Sequence, residues 1–299
     1  MIDAILGSAF LVSTPLLLTA IGGMLNRIGG IVNIGLEAMM LSGAYVALVA
    51  SSATQSWPLA LVAALVTGGL IALLFSLTVT RLGANEIVAG LGFNVAIAGL
   101  IGFVLKDYYQ SSGTLRLENV VMLPRIDLPG IENIPILGAI LSHKDPVTWL
   151  AWLSVPLSSF VLARTRAGLR LRAAGEAPAA SIALGLRPLL ARDISTVVAG
   201  AMAGLAGAQL SIGIVGIFNV GISAGRGFIA LAAFYFGRNR PGLTALGALL
   251  FGFFDAAQIN LQGRGVAPEL MQMLPYIVVV TVLTAIGLIE RRRRLLRGM

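Results

Sequence analysis

Side chains able to do chemistry are scarce in this chain, and the few present recur at matching places in two halves. Asn33 and Glu37 stand in Ile31-Val32-Asn33-Ile34-Gly35-Leu36-Glu37, one helical turn apart, so both can face the same side. The run Ile217-Phe218-Asn219-Val220-Gly221-Ile222 repeats the first part of that pattern, and Arg226 and Phe228 follow it. Farther on, Asp255 and Gln258 share a helix face, with Asn260 and Gln262 beyond them. Such groups hydrogen-bond to the hydroxyl and amide edges of a polar solute. They are not a nucleophile with its base. The chain has no Cys and one His, His143, so thiolate sites are excluded and no metal site is expected. With no clustered carboxylates either, an intramembrane enzyme has nothing to work with.

These residues sit in an apolar setting. Apolar residues make up 57% of the chain and charged ones 11%, which excludes an ordinary soluble domain. Apolar stretches near 4–25, 30–51, 57–80, 86–105, 147–163, 192–213, 217–237, 241–261 and 270–289 approach the roughly 20 residues that cross a bilayer as helix. Asp3 and the lack of a basic start make the first stretch a membrane helix rather than a signal peptide. The expectation is an all-α polytopic membrane protein with about nine transmembrane helices.

Lys and Arg orient the spans. With the C-terminus cytoplasmic, one side receives Arg27, Arg81, most of the arginines of 164–191, Arg238, Arg240 and the terminal Arg291 to Arg294 and Arg297. The other receives only Lys106, Arg116, Arg125, Lys144 and Arg264. An odd number of spans then puts the N-terminus outside. The terminal arginines suit an anionic lipid surface, and the distribution argues against nucleic acid. Pro58 and Pro241, Gly69 and Gly252, and Ala84-Asn85-Glu86 and Ala267-Pro268-Glu269 extend the echo between halves. The expected layout is two inverted-topology repeats with broken helices, about 4–105 and 192–289. An outer loop 106–146, a linker helix 147–163, a cytoplasmic loop 164–191 and a basic tail 290–299 complete one membrane domain.

Each candidate admits two readings. Glu37 with Asn33 either lines a path and binds solute, or bonds to nearby backbone and fixes an irregular helix start. Asp255 either recognises solute or pairs with Arg226 inside the membrane. Asn94 is a further candidate for the substrate path, in a helix whose packed interior it could face, with Gly90, Gly92 and Gly99 as packing devices. Phe93, Phe228, Phe234 and Tyr235 could stack on a ring or simply pack. Glu86 and Glu269 stand where a carboxylate caps a helix.

The cytoplasmic loop reads Gly175-Glu176-Ala177-Pro178-Ala179-Ala180-Ser181-Ile182-Ala183-Leu184-Gly185-Leu186. Pro178 suits a first helical turn, Glu176 a positive helix end, and Gly185 a stop, which predicts one short helix outside the membrane. It is either a connector on the lipid surface or a docking element.

Here the sequence resembles a known family. The Gly-Glu-x-Pro-x-Ala-Ala…Gly-Leu loop is similar to the coupling-helix loop of ABC-importer permeases in the branched-chain amino acid and simple-sugar superfamily. Asn33 to Glu37 resembles that superfamily's first-half signature. Gly225-Arg226-Gly227-Phe228-Ile229-Ala230-Leu231-Ala232-Ala233 resembles the second-half signature of its nucleoside branch, and the likeness extends to Leu274-Pro275-Tyr276. The resemblance implies a homologous second permease sharing the path, an ABC ATPase with two nucleotide-binding modules, and an extracytoplasmic substrate-binding lipoprotein. It also implies a bacterial-type cytoplasmic membrane, and ATPase coupling through Gly175, Glu176, Pro178, Ala179, Ala180 and Gly185. The chain has no Gly-x-x-x-x-Gly-Lys-[Ser/Thr] loop, so it is no enzyme itself and holds no cofactor. ATP and Mg belong to the partner. Sugar or branched-chain amino acid cargo stays open, as does an autonomous ion-coupled transporter using Glu37 and Asp255.

Overall fold

A computed structural model of the chain describes residues 2–127 and 142–261, with positions 273, 277, 280, 281 and 284. The expected span 270–289, the side chains of Asn260 and Gln262, Glu269, Leu274-Pro275-Tyr276 and the basic tail lie outside the described residues.

The helices are α1 (Ile2–Ile28), α2 (Leu36–Thr54), α3 (Trp57–Thr80), α4 (Glu86–Asp107), α5 (Pro146–Arg164), α6 (Arg166–Glu176), α7 (Pro178–Ala183), α8 (Pro188–Ala208), α9 (Arg226–Phe236) and α10 (Pro241–Leu261). Their starts carry local signals. Pro58, Pro146, Pro178 and Pro188 occupy first turns, where the missing N–H costs nothing. Asn85 caps α4 by accepting from the Ile87 and Val88 amides at 2.9 and 3.3 Å. Among the described residues, 6 helices are long and apolar enough to cross a membrane: α1 to α5, and α8 with its continuation to Val215.

Two stretches expected as spans are interrupted. The one near 30–51 turns helical only at Leu36. The one near 217–237 is not a continuous helix at all, and this corrects the sequence expectation. Beyond α8 the chain widens into a π-helix, Gln209–Val215, which closes at Gly216 with φ 74. It then forms a two-residue strand, β2 (Phe218–Asn219), and turns through Ala224 and Gly225, both at positive φ, into the 11-residue α9. Apolarity alone does not register these breaks, because the interrupting residues are themselves mostly apolar.

Helices α1, α2, α3, α8 and α10 form the centre. α1 lies along α10 and α8 along α3, while α1 and α8 also pack on each other and on the opposite short helices. Small residues permit this. Gly204 sits where a side chain would run into Ala64 of α3, and Gly43 of α2 abuts the Gly204 backbone. α4 and α5 ring the centre and turn apolar side chains outward, as Val95 and Leu153 do. Of the α4 glycines, Gly90 meets Gly35 and Ile34, but Gly92 and Gly99 meet nothing within 4 Å among the described residues. Among those residues they are not packing devices.

Buried polar groups tie helices that hydrocarbon contact would leave free to slide. Asp193 of α8 accepts from Ser76 at 2.6 Å, Thr80 at 3.0 Å and Arg81 at 2.8 Å. Near the other end, Gln209 donates to Asp145 and Thr148, both at 3.0 Å. Beside them Lys144, in the loop before α5, donates to the Gly7 carbonyl at 3.0 Å. Burial lowers its pKa, Asp145 opposes that, and Arg125 adds to it.

Replacing Gly204 with Leu should separate α8 from α2 and α3 and abolish a monodisperse gel-filtration peak. Gly92→Leu, on an open helix face, should leave the peak unchanged.

Candidate functional site

Breaking a helix within a bilayer strands backbone donors that lipid cannot satisfy, so the protein itself must supply acceptors. The first break, residues 29–35, receives them from α4 and from its own Asn33. Glu86 accepts from the Val32 amide at 2.9 Å, and Asn33 Oδ1 accepts from Gly35 at 2.9 Å. Asn94 bridges the entry to α2: its Oδ1 accepts from Ala38 at 2.9 Å and its Nδ2 donates to the Ile34 carbonyl at 3.1 Å. Asn33 is wholly buried. Glu86 therefore does not cap its own helix, a task that falls to Asn85; it reaches across to the break.

The second break is held differently. β2 pairs antiparallel with β1 (Thr114–Leu115), in the loop after α4, Thr114 opposite Asn219 and Leu115 opposite Phe218. The Val220 amide adds a bond to the Gly113 carbonyl at 3.1 Å. The Asn219 side chain is left exposed.

Glu37 joins the two breaks. From the first turn of α2 its carboxylate accepts from the Gly225 amide at 3.0 Å and the Gly227 amide at 2.7 Å, at the start of α9. It thus stands between two positive helix ends and compensates both. Gly227 is required there, since a Cβ would come within 2.6 Å of the Glu37 nitrogen. Arg226, one residue along, donates to Asp255 of α10 at 2.8 Å and to the Ile222 carbonyl at 3.3 Å, and its Nε is buried without an acceptor. The structure therefore brings Glu37, Asn94 and Asn33 together around the first break, and places Arg226 with Asp255 beside the second. Phe228 is 41% exposed, and Gln258 is half-buried one turn beyond Asp255. Phe93 meets Phe75 edge-on at 5.9 Å, Phe234 is buried against Tyr235, and Arg27 lies over the Tyr235 ring at 3.6 Å.

The segment expected as a cytoplasmic loop is two helices, not one. α6 precedes the short α7, so Glu176 ends α6 instead of opening α7. The overlooked signal was Thr165, whose hydroxyl caps α6 by accepting from Gly168 at 3.2 Å. Pro178 opens α7, and Gly185 with φ 74 ends it, as the sequence predicts. Glu176, Pro178, Ala179, Ala180, Ile182 and Leu184 are exposed. The base of the segment is anchored at the first break. Gly175 touches the Ile28 backbone so closely that no side chain fits. Arg192 donates to the Gly29 carbonyl at 3.1 Å and to the Ala174 carbonyl at 3.4 Å.

The family model described as branched-chain amino acid transport system / permease component matches residues 5–283. The chain belongs to that family. This permease is 33% identical to the nucleoside ABC transporter permease protein NupC of Lactococcus lactis, over 94% of its own length and 92% of that relative. It is 32% identical to the guanosine ABC transporter permease protein NupQ of Bacillus subtilis, over 95% and 92%. The same two bacteria contribute more distant relatives, NupB and NupP, named for the same cargoes. The glucose ABC transporter permease protein TsgB13 of Haloferax volcanii is 25% identical, over 91% of this chain and 74% of that one. No solved structure matches the permease.

Hydrogen bonds from backbone amides to a carboxylate contribute about 1.5–3 kcal/mol each. Glu37→Gln keeps one acceptor oxygen and turns its side-chain amide NH2, a donor, toward the second backbone N–H. The variant should lose about 2 kcal/mol of stability, read as an earlier thermal unfolding of the purified protein in detergent.

Proposed function

We propose that this permease forms half of the translocation path of an ATP-driven importer whose cargo is a nucleoside. The observation that carries the cargo class is the internal compensation of charge at the junction. Broken-helix N-termini commonly hold the carboxylate of an anionic substrate. Here Glu37 occupies the α2 and α9 ends, and Asp255 occupies Arg226. Among the described residues at this junction no cation is left without a carboxylate of the chain's own, so a neutral polar cargo fits. Sugars and nucleosides are both neutral, and the nearly full-length likeness to NupC and NupQ favours the nucleoside. In this reading the exposed Asn219 and Phe228 and the half-buried Gln258 meet the cargo, while Asn33, Glu37, Asn94, Arg226 and Asp255 hold the path's shape.

The halves are read as inverted repeats. Support comes from the reciprocal packing of α1 on α10 and α8 on α3, and from close contacts at Gly252 with Ser13 and at Gly68 with Gly200. The N-terminus is placed outside and the C-terminus in the cytoplasm, which puts α6 and α7 where an ATPase can reach them. A homologous second permease completes the path, as the paired names NupB with NupC and NupP with NupQ suggest. ATP and Mg are bound by an ABC ATPase with two nucleotide-binding modules, and a substrate-binding lipoprotein delivers cargo. Movement of α7 reaches the gate through Gly175 against Ile28 and through Arg192 on Gly29, because residues 29–35 lead directly to Glu37.

Vesicles holding the complete complex should take up radiolabelled nucleosides only with ATP, and take up neither sugars nor branched-chain amino acids. Sugar uptake in their place would move the cargo without disturbing the permease reading; uptake by this chain alone on an ion gradient would sink it. Deleting 176–186 should abolish co-purification of the ATPase while leaving the membrane domain folded.

A further inference from the structure

Away from the junction, a groove of about 430 Å³ runs between α1, α5 and α8 beside the start of α6. Ile21, Leu25, Val161, Val198 and Met202 give it apolar walls. Its mouth carries Leu157 and Ile194, which are 57% and 56% exposed on outward helix faces, so it opens sideways toward lipid. A second cavity of about 300 Å³ shares Arg170, Ala191 and Ile194 with the first, and continues beneath α7 to Ser181, Gly185 and Arg187. An apolar slot thus leads into a basic chamber at the base of α6 and α7.

Two exposed arginines, Arg170 and Arg187, line this chamber. Arg81 and Arg226 each face an aspartate, but among the described residues no carboxylate pairs with Arg170 or Arg187. Basic pockets between membrane helices on the cytoplasmic side suit anionic headgroups, and an adjoining slot of methylene-lined wall suits the attached chain. A soluble phosphate compound would use the chamber and leave the slot empty. We infer that one anionic phospholipid of the cytoplasmic leaflet binds here, an acyl chain in the groove and its phosphate between Arg170 and Arg187. The inference rests on the orientation proposed above, which puts α6 and α7 at the cytoplasmic face.

Native mass spectrometry of the full chain in detergent, with phosphatidylglycerol or phosphatidylcholine added, tests it. The wild type should retain phosphatidylglycerol adducts at least about tenfold more than phosphatidylcholine adducts. The pair Arg170→Gln/Arg187→Gln should lose that preference. Ser154→Phe, which fills the groove and keeps both arginines, should lose the adduct too, while glycerol phosphate should not displace it. Equal retention of the two lipids, an unchanged preference in the arginine pair, or displacement by glycerol phosphate would each overturn the site. A second groove-filling change, Ala167→Phe, guards against misfolding of the first, and each variant must keep the wild-type gel-filtration profile. Orientation is checked separately by Ile182→Cys in this cysteine-free chain. Labelling from the outer face would refute the topology whatever the lipid result, and nucleoside uptake is read independently of both.

Discussion

The Glu37 carboxylate lies between two helix starts that belong to different halves of the chain, and the interior is arranged around that contact. Within a bilayer an interrupted helix is tolerable only if its loose amides are met by protein. Here one side chain meets two of them, at Gly225 and Gly227, while its own helix is steadied by Asn94 and the break before it by Glu86 and Asn33. The glycine at 227 lets the backbone come close enough for the bond to form. An acid in the middle of a membrane is costly when isolated; between two positive helix ends it becomes the means by which two breaks share one solution.

The arrangement also separates tasks by depth. Toward the proposed cytoplasmic face, Asp193 fixes α3 to α8, and Arg192 fixes the end of α1 to α6. Toward the opposite face, Gln209, Asp145 and Thr148 fix α8 to α5. Between these two belts α8 meets α2 and α3 by glycine against backbone, at Gly43, Gly68, Gly200 and Gly204, within a core of large apolar side chains. The Glu37 junction is the main polar exception. Residues 29–35 are thereby held against α6 in two ways, by backbone contact at Gly175 and by the Arg192 side chain.

Much of this was legible before any coordinates. Long apolar runs marked most of the helices, Pro178 and Gly185 bounded α7, and the pairing of Asp255 with Arg226 was one of two readings open from sequence. The two breaks were harder, because Ile31, Val32, Ile217 and Phe218 are apolar enough to pass as helix interior. The exposed Asn219 and buried Asn33 look equivalent as letters, yet one break is closed by side chains and the other by a strand from the loop after α4. Asp193 passed unnoticed because its partners lie far away in sequence, on α3. Glu86 looked like a cap for the same reason: its true acceptor role is toward Val32, and nothing local announces it.

The difference between the two breaks has a consequence for inheritance. The first is stitched by three particular side chains, so a single codon change at Glu86, Asn94 or Asn33 removes a stitch. The second is stitched largely by backbone pairing between β1 and β2, which any two compatible residues can supply. Residues around Asn219 are therefore free to drift while the chain still folds, and those around Asn33 are not. A lineage exploring new cargoes would find its room for variation around Asn219, with the first break kept as the fixed frame.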